Sequence, residues 1–228
     1  LIVALQLGSA ALLAGCDGPL SALAPAGPAA ASIATLWWTM LAGAAALFAL
    51  VMVLFVLVFL RPGWGSSVPT GRWIVLGGLV LPALILPPLV TYGMIVGERL
   101  LLVPRGAALR IEVVGRQWFW TFRYPDNGGV ETVGTLHLPA GRPVDIAVSS
   151  RDVIHGFWIP RLSGKIDAVP GHMNHLRIEA DAPGRYDALC SEFCGLGHAL
   201  MRFVVIVHRA PDFSAALARA ADAPGVKR

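Results

Sequence analysis

Two stretches of this chain run for more than twenty residues without a charged side chain, and they constrain its fold more than any other feature. The first, Leu36 to Leu60, has 25 residues. At about 1.5 Å per residue, a helix of that length reaches about 37 Å, enough to cross a bilayer with some tilt. Trp37 and Trp38 stand at its start, where interfacial aromatics belong. The second, Trp73 to Val96, contains Pro82, Pro87 and Pro88. These would break a helix in water but are tolerated where neighbouring segments satisfy the freed carbonyls in a membrane. Charged residues make up only 14% of the 228 and hydrophobic ones 56%. A soluble domain carries about 25% charge, so an ordinary cytosolic enzyme is excluded. The net charge of +4 comes from scattered residues, and no Lys/Arg run forms a patch for nucleic acid.

The short connection Arg61 to Arg72 holds two Arg and no acid. The positive-inside rule places it in the cytoplasm with both flanking ends outside, so the long C-terminal region is expected to be periplasmic or extracellular. Residues Leu1 to Cys16 read as the apolar core and cleavage end of a signal peptide. Leu-Ala-Gly-Cys at 13–16 resembles a bacterial lipobox, which implies lipidation of Cys16. The expected organisation is a leader at 1–16, a Pro/Ala/Gly-rich extended linker at 17–35, a transmembrane hairpin at 36–97, a β domain at 98–210 and a tail at 211–228.

From Ala107 the texture changes to short runs rich in Val, Ile and aromatics, such as LRIEVVG, RQWFWTFRY and MRFVVIV, punctuated by Pro/Gly turns. Seven or more strands at this spacing predict an antiparallel sandwich or barrel, with only Ser214–Ala221 helical near the end. The expected class is therefore membrane α plus all-β.

The chemistry is concentrated in Cys190-Ser-Glu-Phe-Cys-Gly-Leu-Gly-His-Ala-Leu-Met201. Thiols, an imidazole and a thioether together suit copper. Zinc would accept the thiols and imidazoles, but Met is a poor zinc ligand. On one strand face, positions four apart lie about 13 Å from each other. Cys190 and Cys194 must therefore share a loop, and Gly195 and Gly197 allow it to curl back with His198. His155 is the best candidate for a further imidazole. A Cys190–Cys194 disulfide is the alternative outside the cytoplasm. His137, His172, His175 and His208 have no comparable set around them and read as structural or exposed.

Cys-x-Glu-x-Cys-x3-His-x2-Met with an upstream His resembles the CuA site of cytochrome c oxidase subunit II. Gly115-Arg-Gln-Trp-Phe-Trp120 and Gly164-Lys-Ile-Asp-Ala-Val-Pro-Gly171 resemble two further signatures of that family. The resemblance implies a two-helix hairpin followed by a cupredoxin-like Greek-key β-barrel. It implies that Cys190 and Cys194 bridge two coppers, that His155 and His198 bind one each, and that Met201 and the Glu192 carbonyl are weak axial ligands. It assigns the Glu192 carboxylate to a Mg or Mn ion shared with subunit I, and Trp118 as the aromatic through which an electron enters. The implied partners are subunit I with its haems and CuB, subunit III, a c-type cytochrome and membrane lipid. The implied reaction is reduction of O2 to water coupled to proton translocation, with the oxygen chemistry in subunit I.

The sequence also departs from the family. Phe119 stands where many relatives have Tyr, and Trp73 to Leu81 lacks an expected Glu. From Glu98 onward there are 16 basic and 13 acidic residues, a net of +3, so an acidic face for a basic cytochrome is not evident. Asp152 and Asp126 remain candidates for a local acidic patch. A copperless quinol-oxidase subunit would lack the ligand set. A nitrous oxide reductase would bring a large propeller that 228 residues cannot hold. A thioredoxin-fold copper carrier would alternate helices with strands.

Overall fold

The computed structural model describes residues 18–100 and 109–221. They form two units, one of helices from Thr35 to Arg99 and one built around a β-sandwich. Cys16 and its lipobox lie outside the described residues.

Helix α1 (Pro28–Leu60) begins within the stretch expected to be an extended linker. The physical reason is local: Pro28 sits at the first helical position, where its missing N–H costs nothing, and an Ala-rich run follows. The preceding residues are also held in place. Ala26 N–H donates to the Arg161 carbonyl at 2.7 Å, and Asp181 N–H donates to the Ala26 carbonyl at 2.9 Å. The Arg161 guanidinium donates to the Ala24 carbonyl at 2.7 Å. Gly27 lies against the backbone carbonyl of Glu179, where no Cβ would fit.

The second apolar stretch is helical from α2 (Thr70–Trp73) through a π-helical segment, Ile74–Val80, to α3 (Leu81–Leu100). The wider turns come immediately before Pro82. There the Leu81 N–H reaches five residues back to the Leu76 carbonyl. A π-type turn relieves the clash between the Pro82 ring and the preceding turn, and the α-helix that follows carries Pro87 and Pro88 in its interior. Both long helices, Pro28–Leu60 and Thr70–Glu98, are long and apolar enough to span a membrane.

The sandwich has ten strands among the described residues: β1 (Leu109–Arg116), β2 (Phe119–Tyr124), β3 (Val130–Val133), β4 (Thr135–Pro139), β5 (Val144–Ser150), β6 (His155–Trp158), β7 (Ile166–Ala168), β8 (Asn174–Ile178), β9 (Gly184–Cys190) and β10 (Arg202–His208). One sheet has the order β3-β2-β1-β5-β8 and the other β4-β10-β9-β6-β7. The sandwich is not wholly antiparallel, because β1 runs parallel to β5 and β4 parallel to β10. The chain leaves the first sheet after β3, adds β4 to the second, and returns as β5 beside β1. Such a return by way of the other sheet is what places two strands side by side in the same direction.

Alternation sends Ile111 and Val113 of β1, and Phe203, Val205 and Val207 of β10, into the core between the sheets. Trp120, Phe157 and Phe203 fill its upper part, with Phe157 and Phe203 stacked at 5.0 Å. Trp120 meets the His155 ring edge-on at 5.8 Å, so this aromatic layer is the floor of the cluster described below. The tail forms α4 (Phe213–Ala221) and buries Phe213 and Leu217 against the same core.

Candidate metal centre

Strand directions bring five connections to one end of the sandwich: β1–β2, β3–β4, β5–β6, β7–β8 and β9–β10. The last carries the sulfur ligands. Cys190 ends β9, and its N–H donates to the Met201 carbonyl at 2.9 Å, closing the loop at its base. Gly195 adopts φ +111°, which a side chain would strain. From there the chain turns through a 3-10 segment, His198–Leu200, and delivers Met201 to the start of β10.

The loop gathers its donor atoms in sequence order. Cys190 Sγ and Cys194 Sγ are 3.8 Å apart, as free thiols rather than a disulfide. Cys194 Sγ lies 3.6 Å from His198 Nδ1 and 3.7 Å from Met201 Sδ. His155, the first residue of β6, brings Nδ1 to 4.0 Å from Cys190 Sγ. The Glu192 carbonyl oxygen is 3.2 Å from the same sulfur. The donor atoms of His155, Cys190 and Cys194 all lie within 4.8 Å of one another. One imidazole thus flanks each thiol.

Cys190, Cys194, Met201 and His155 are all buried, while His198 is half-buried. Burial, then the neighbouring Cys190 thiol, pushes the Cys194 thiol up to about 12. In the absence of a cation that sulfur holds its proton, and a soft cation would take the proton's place. Two thiols, two imidazoles, a thioether and a carbonyl in one largely buried cluster are a donor set that fits copper.

Around these donors stands a supporting layer, most of which sequence reasoning missed. Asp152 Oδ1 lies 2.8 Å from His155 Nε2, fixing the ring with Nδ1 toward the thiols. Its other oxygen accepts the Gln117 N–H at 2.8 Å. Asp152 is therefore no member of an acidic patch with Asp126, which accepts from the Arg110 N–H at the opposite end of β1. The hydrogen bonds from His155, Gln117 and Val153 hold its carboxyl below the usual range, although partial burial opposes them. An Asp three residues before a candidate His was the available signal.

Gln117 Nε2 and Trp118 Nε1 both donate to the Cys194 carbonyl, at 2.8 and 3.1 Å. They are joined by a cis peptide. Trp118 is 41% exposed, whereas Trp120 is fully buried. Two glycines make room for the site. A Cβ on Gly115 would lie 2.9 Å from His155 Cδ2, and one on Gly156 would lie 2.9 Å from the Glu192 nitrogen. The Glu192 carboxylate meets Lys165 Nζ at 3.6 Å.

Comparison with known proteins follows the same residues. The family described as cytochrome C oxidase subunit II, periplasmic domain, matches residues 129–208. The solved periplasmic domain of subunit II of cytochrome oxidase from Bradyrhizobium japonicum is 32% identical, with a TM-score of 0.50. The match covers 53% of this chain and 98% of that one. The chain belongs to the cytochrome c oxidase subunit II family. Among its members, cytochrome c oxidase subunit 2 of Thermostichus vulcanus is 46% identical over 105 residues, 46% of this chain and 31% of that protein. The alternative cytochrome c oxidase subunit 2 of Bradyrhizobium diazoefficiens is 33% identical over 172 residues, 63% of this chain and 60% of that protein. The chain thus spans less than two thirds of the length of these subunit II relatives.

Proposed function

We propose that this chain is the electron-accepting subunit of a haem–copper oxidase. It takes electrons from a c-type cytochrome and passes them to subunit I, where O2 is reduced to water with proton translocation. The observation that carries this reading is the buried cluster in which Cys190 and Cys194 lie 3.8 Å apart with one imidazole beside each. When bound, a copper pair there supplies a one-electron site shared over both metals.

The chain's own residues do the rest. Cys190 and Cys194, with His155 and His198 as imidazole donors and Met201 and the Glu192 carbonyl completing the set, would hold the metals. Asp152 keeps the His155 ring from turning. The β6, β9 and β10 framework holds every ligand at a strand end or in a loop pinned at its base, so the ligands move little between redox states. The indole of Trp118, hydrogen-bonded to the Cys194 carbonyl, offers a path from the surface to the ligand loop. The Glu192 carboxylate, released from Lys165, would contribute to a Mg or Mn ion shared with subunit I. The helices would cross a bacterial inner membrane with the β domain on the outer side, next to subunits I and III. Cys16 would carry lipid.

The test is copper content together with the electron paramagnetic resonance spectrum of the oxidised full chain in detergent. A pair of coppers per chain, with hyperfine lines from one electron shared by both, is expected. A lone copper, or a Cys190–Cys194 disulfide without metal, would overturn the reading. Intact mass of the membrane-extracted protein tests lipidation of Cys16.

A further inference from the structure

The end of the sandwich that carries the ligand loop differs in its surface from the rest of the domain. Every large apolar side chain exposed among the described residues of the β domain lies there, including Trp118, Val153, Ile154, Phe193, Leu196 and Leu200. An apolar patch of this kind on an otherwise alternating sandwich marks a contact with another macromolecule.

The charges around Trp118 say which kind. The β1–β2 and β5–β6 connections are adjacent, because the Arg151 N–H donates to the Gly115 carbonyl at 3.1 Å. They carry Arg116 and Arg151, both exposed, and neither forms an ion pair among the described residues. Of the carboxylates at this end, Asp167 in β7 is half-buried and forms no ion pair among the described residues, and the two nearest the ligand loop have partners. Asp152 is held by His155, Gln117 and Val153, and Glu192 by Lys165. Asp152 keeps its negative charge, so Arg116 and Arg151 leave a net charge of +1 beside the exposed indole.

We infer that the face formed by Trp118, Val153, Ile154, Arg116 and Arg151 docks a haem protein whose own contact surface is apolar and ringed by carboxylates: an acidic c-type cytochrome. The inference rests on the electron-accepting function proposed above and names the class of donor. Two guanidiniums flanking an apolar centre steer a carboxylate-ringed partner into register and repel a lysine-ringed one. The apolar centre excludes water between the donor's haem edge and the indole.

The experiment uses the assembled, copper-loaded oxidase containing this chain. Two soluble monohaem c-type cytochromes of similar potential and opposite net charge serve as probes, and stopped-flow absorbance follows reduction of the copper centre. At low salt the acidic donor should react about tenfold faster than the basic one and slow as salt screens the attraction. The variant Arg116→Glu/Arg151→Glu should reverse the order with copper content and spectrum unchanged. The milder Arg116→Gln/Arg151→Gln should abolish the difference. A basic donor that is faster at low salt, or rates indifferent to salt and to both variants, would overturn the inference and leave the function standing. Loss of the shared-electron spectrum in the unmodified complex would instead overturn the function beneath it.

Discussion

The Trp118 indole lies directly over Gly197, so that a Cβ added there would run into Cγ and Cδ2 of the ring and stand 2.8 Å from Cε3. The two residues are far apart in sequence, yet they fix the exposed aromatic against the ligand loop. Neither the backbone nor the ring can yield cheaply, since the indole nitrogen is also tied to the Cys194 carbonyl. Gly197→Ala should therefore displace the indole while leaving the sulfur and imidazole donors in place. The expected result is normal copper content with cytochrome-driven reduction slowed about tenfold, equivalent to about 1.4 kcal/mol in the barrier. Copper analysis alongside stopped-flow kinetics checks it. Equal rates in the two proteins would remove the indole from the path.

Asp152 acts through His155. Asp152→Asn keeps the shape of the side chain but removes its charge and leaves one oxygen to serve His155, Gln117 and Val153. Loss of such an outer partner lowers metal affinity by about 10- to 100-fold. Competition against a chelator of known copper affinity measures this. The wild-type spectrum should return at saturating copper, which separates weaker binding from misfolding.

Metal uptake should depend on pH in a defined sense. The Cys194 thiol titrates only at about 12 in the apo chain, so it carries its proton throughout the physiological range. Binding must expel that proton, and apparent affinity should rise by about tenfold per pH unit for each proton displaced. Calorimetric titration in buffers of different ionisation enthalpy counts the protons released. An affinity that is flat between pH 6 and 8 would show that the thiol already lacks its proton.

A second titrating pair bears on stability alone. His137 Nδ1 lies 2.8 Å from His208 Nε2, and the rings stack at 5.1 Å. Burial, then the His208 charge, lowers His137 from 6.5 to about 4. Burial and Arg219 lower His208 as well, with Asp212 opposing. Between these values the unfolded chain binds more protons than the folded one. The stabilisation is therefore complete above the unfolded value and is lost as pH falls from about 6.5 through about 4. Discounted for partial exposure, His137 contributes about 1–2 kcal/mol. Urea denaturation at pH 7 and pH 4 should show the loss, and His137→Gln should flatten it.

Local pattern carried some of this architecture and not the rest. The two spans were legible because an unbroken apolar run has few other solutions. The ligand loop was legible because soft donors at those spacings occur together for few reasons. The start of α1 at Pro28 was not, since a Pro/Ala/Gly segment reads as a linker until Arg161 and Asp181 are seen to hold Ala26. The parallel β1–β5 pair was hidden because alternation reports which face is buried, not which strand lies alongside. Asp152 was misread as a surface charge because its partners, Gln117 and His155, meet it only after β1 and β5 have been brought together by folding.

The bond from Arg161 to the Ala24 carbonyl joins residues 137 positions apart. At a synthesis rate of about 5–20 residues per second, Arg161 is made roughly 5–20 seconds after the last residue of α1. The anchor of the first helix therefore closes only after β1 to β6 have been made. Until then, Ala24 to Gly27 stay accessible to whatever machinery handles the chain's beginning.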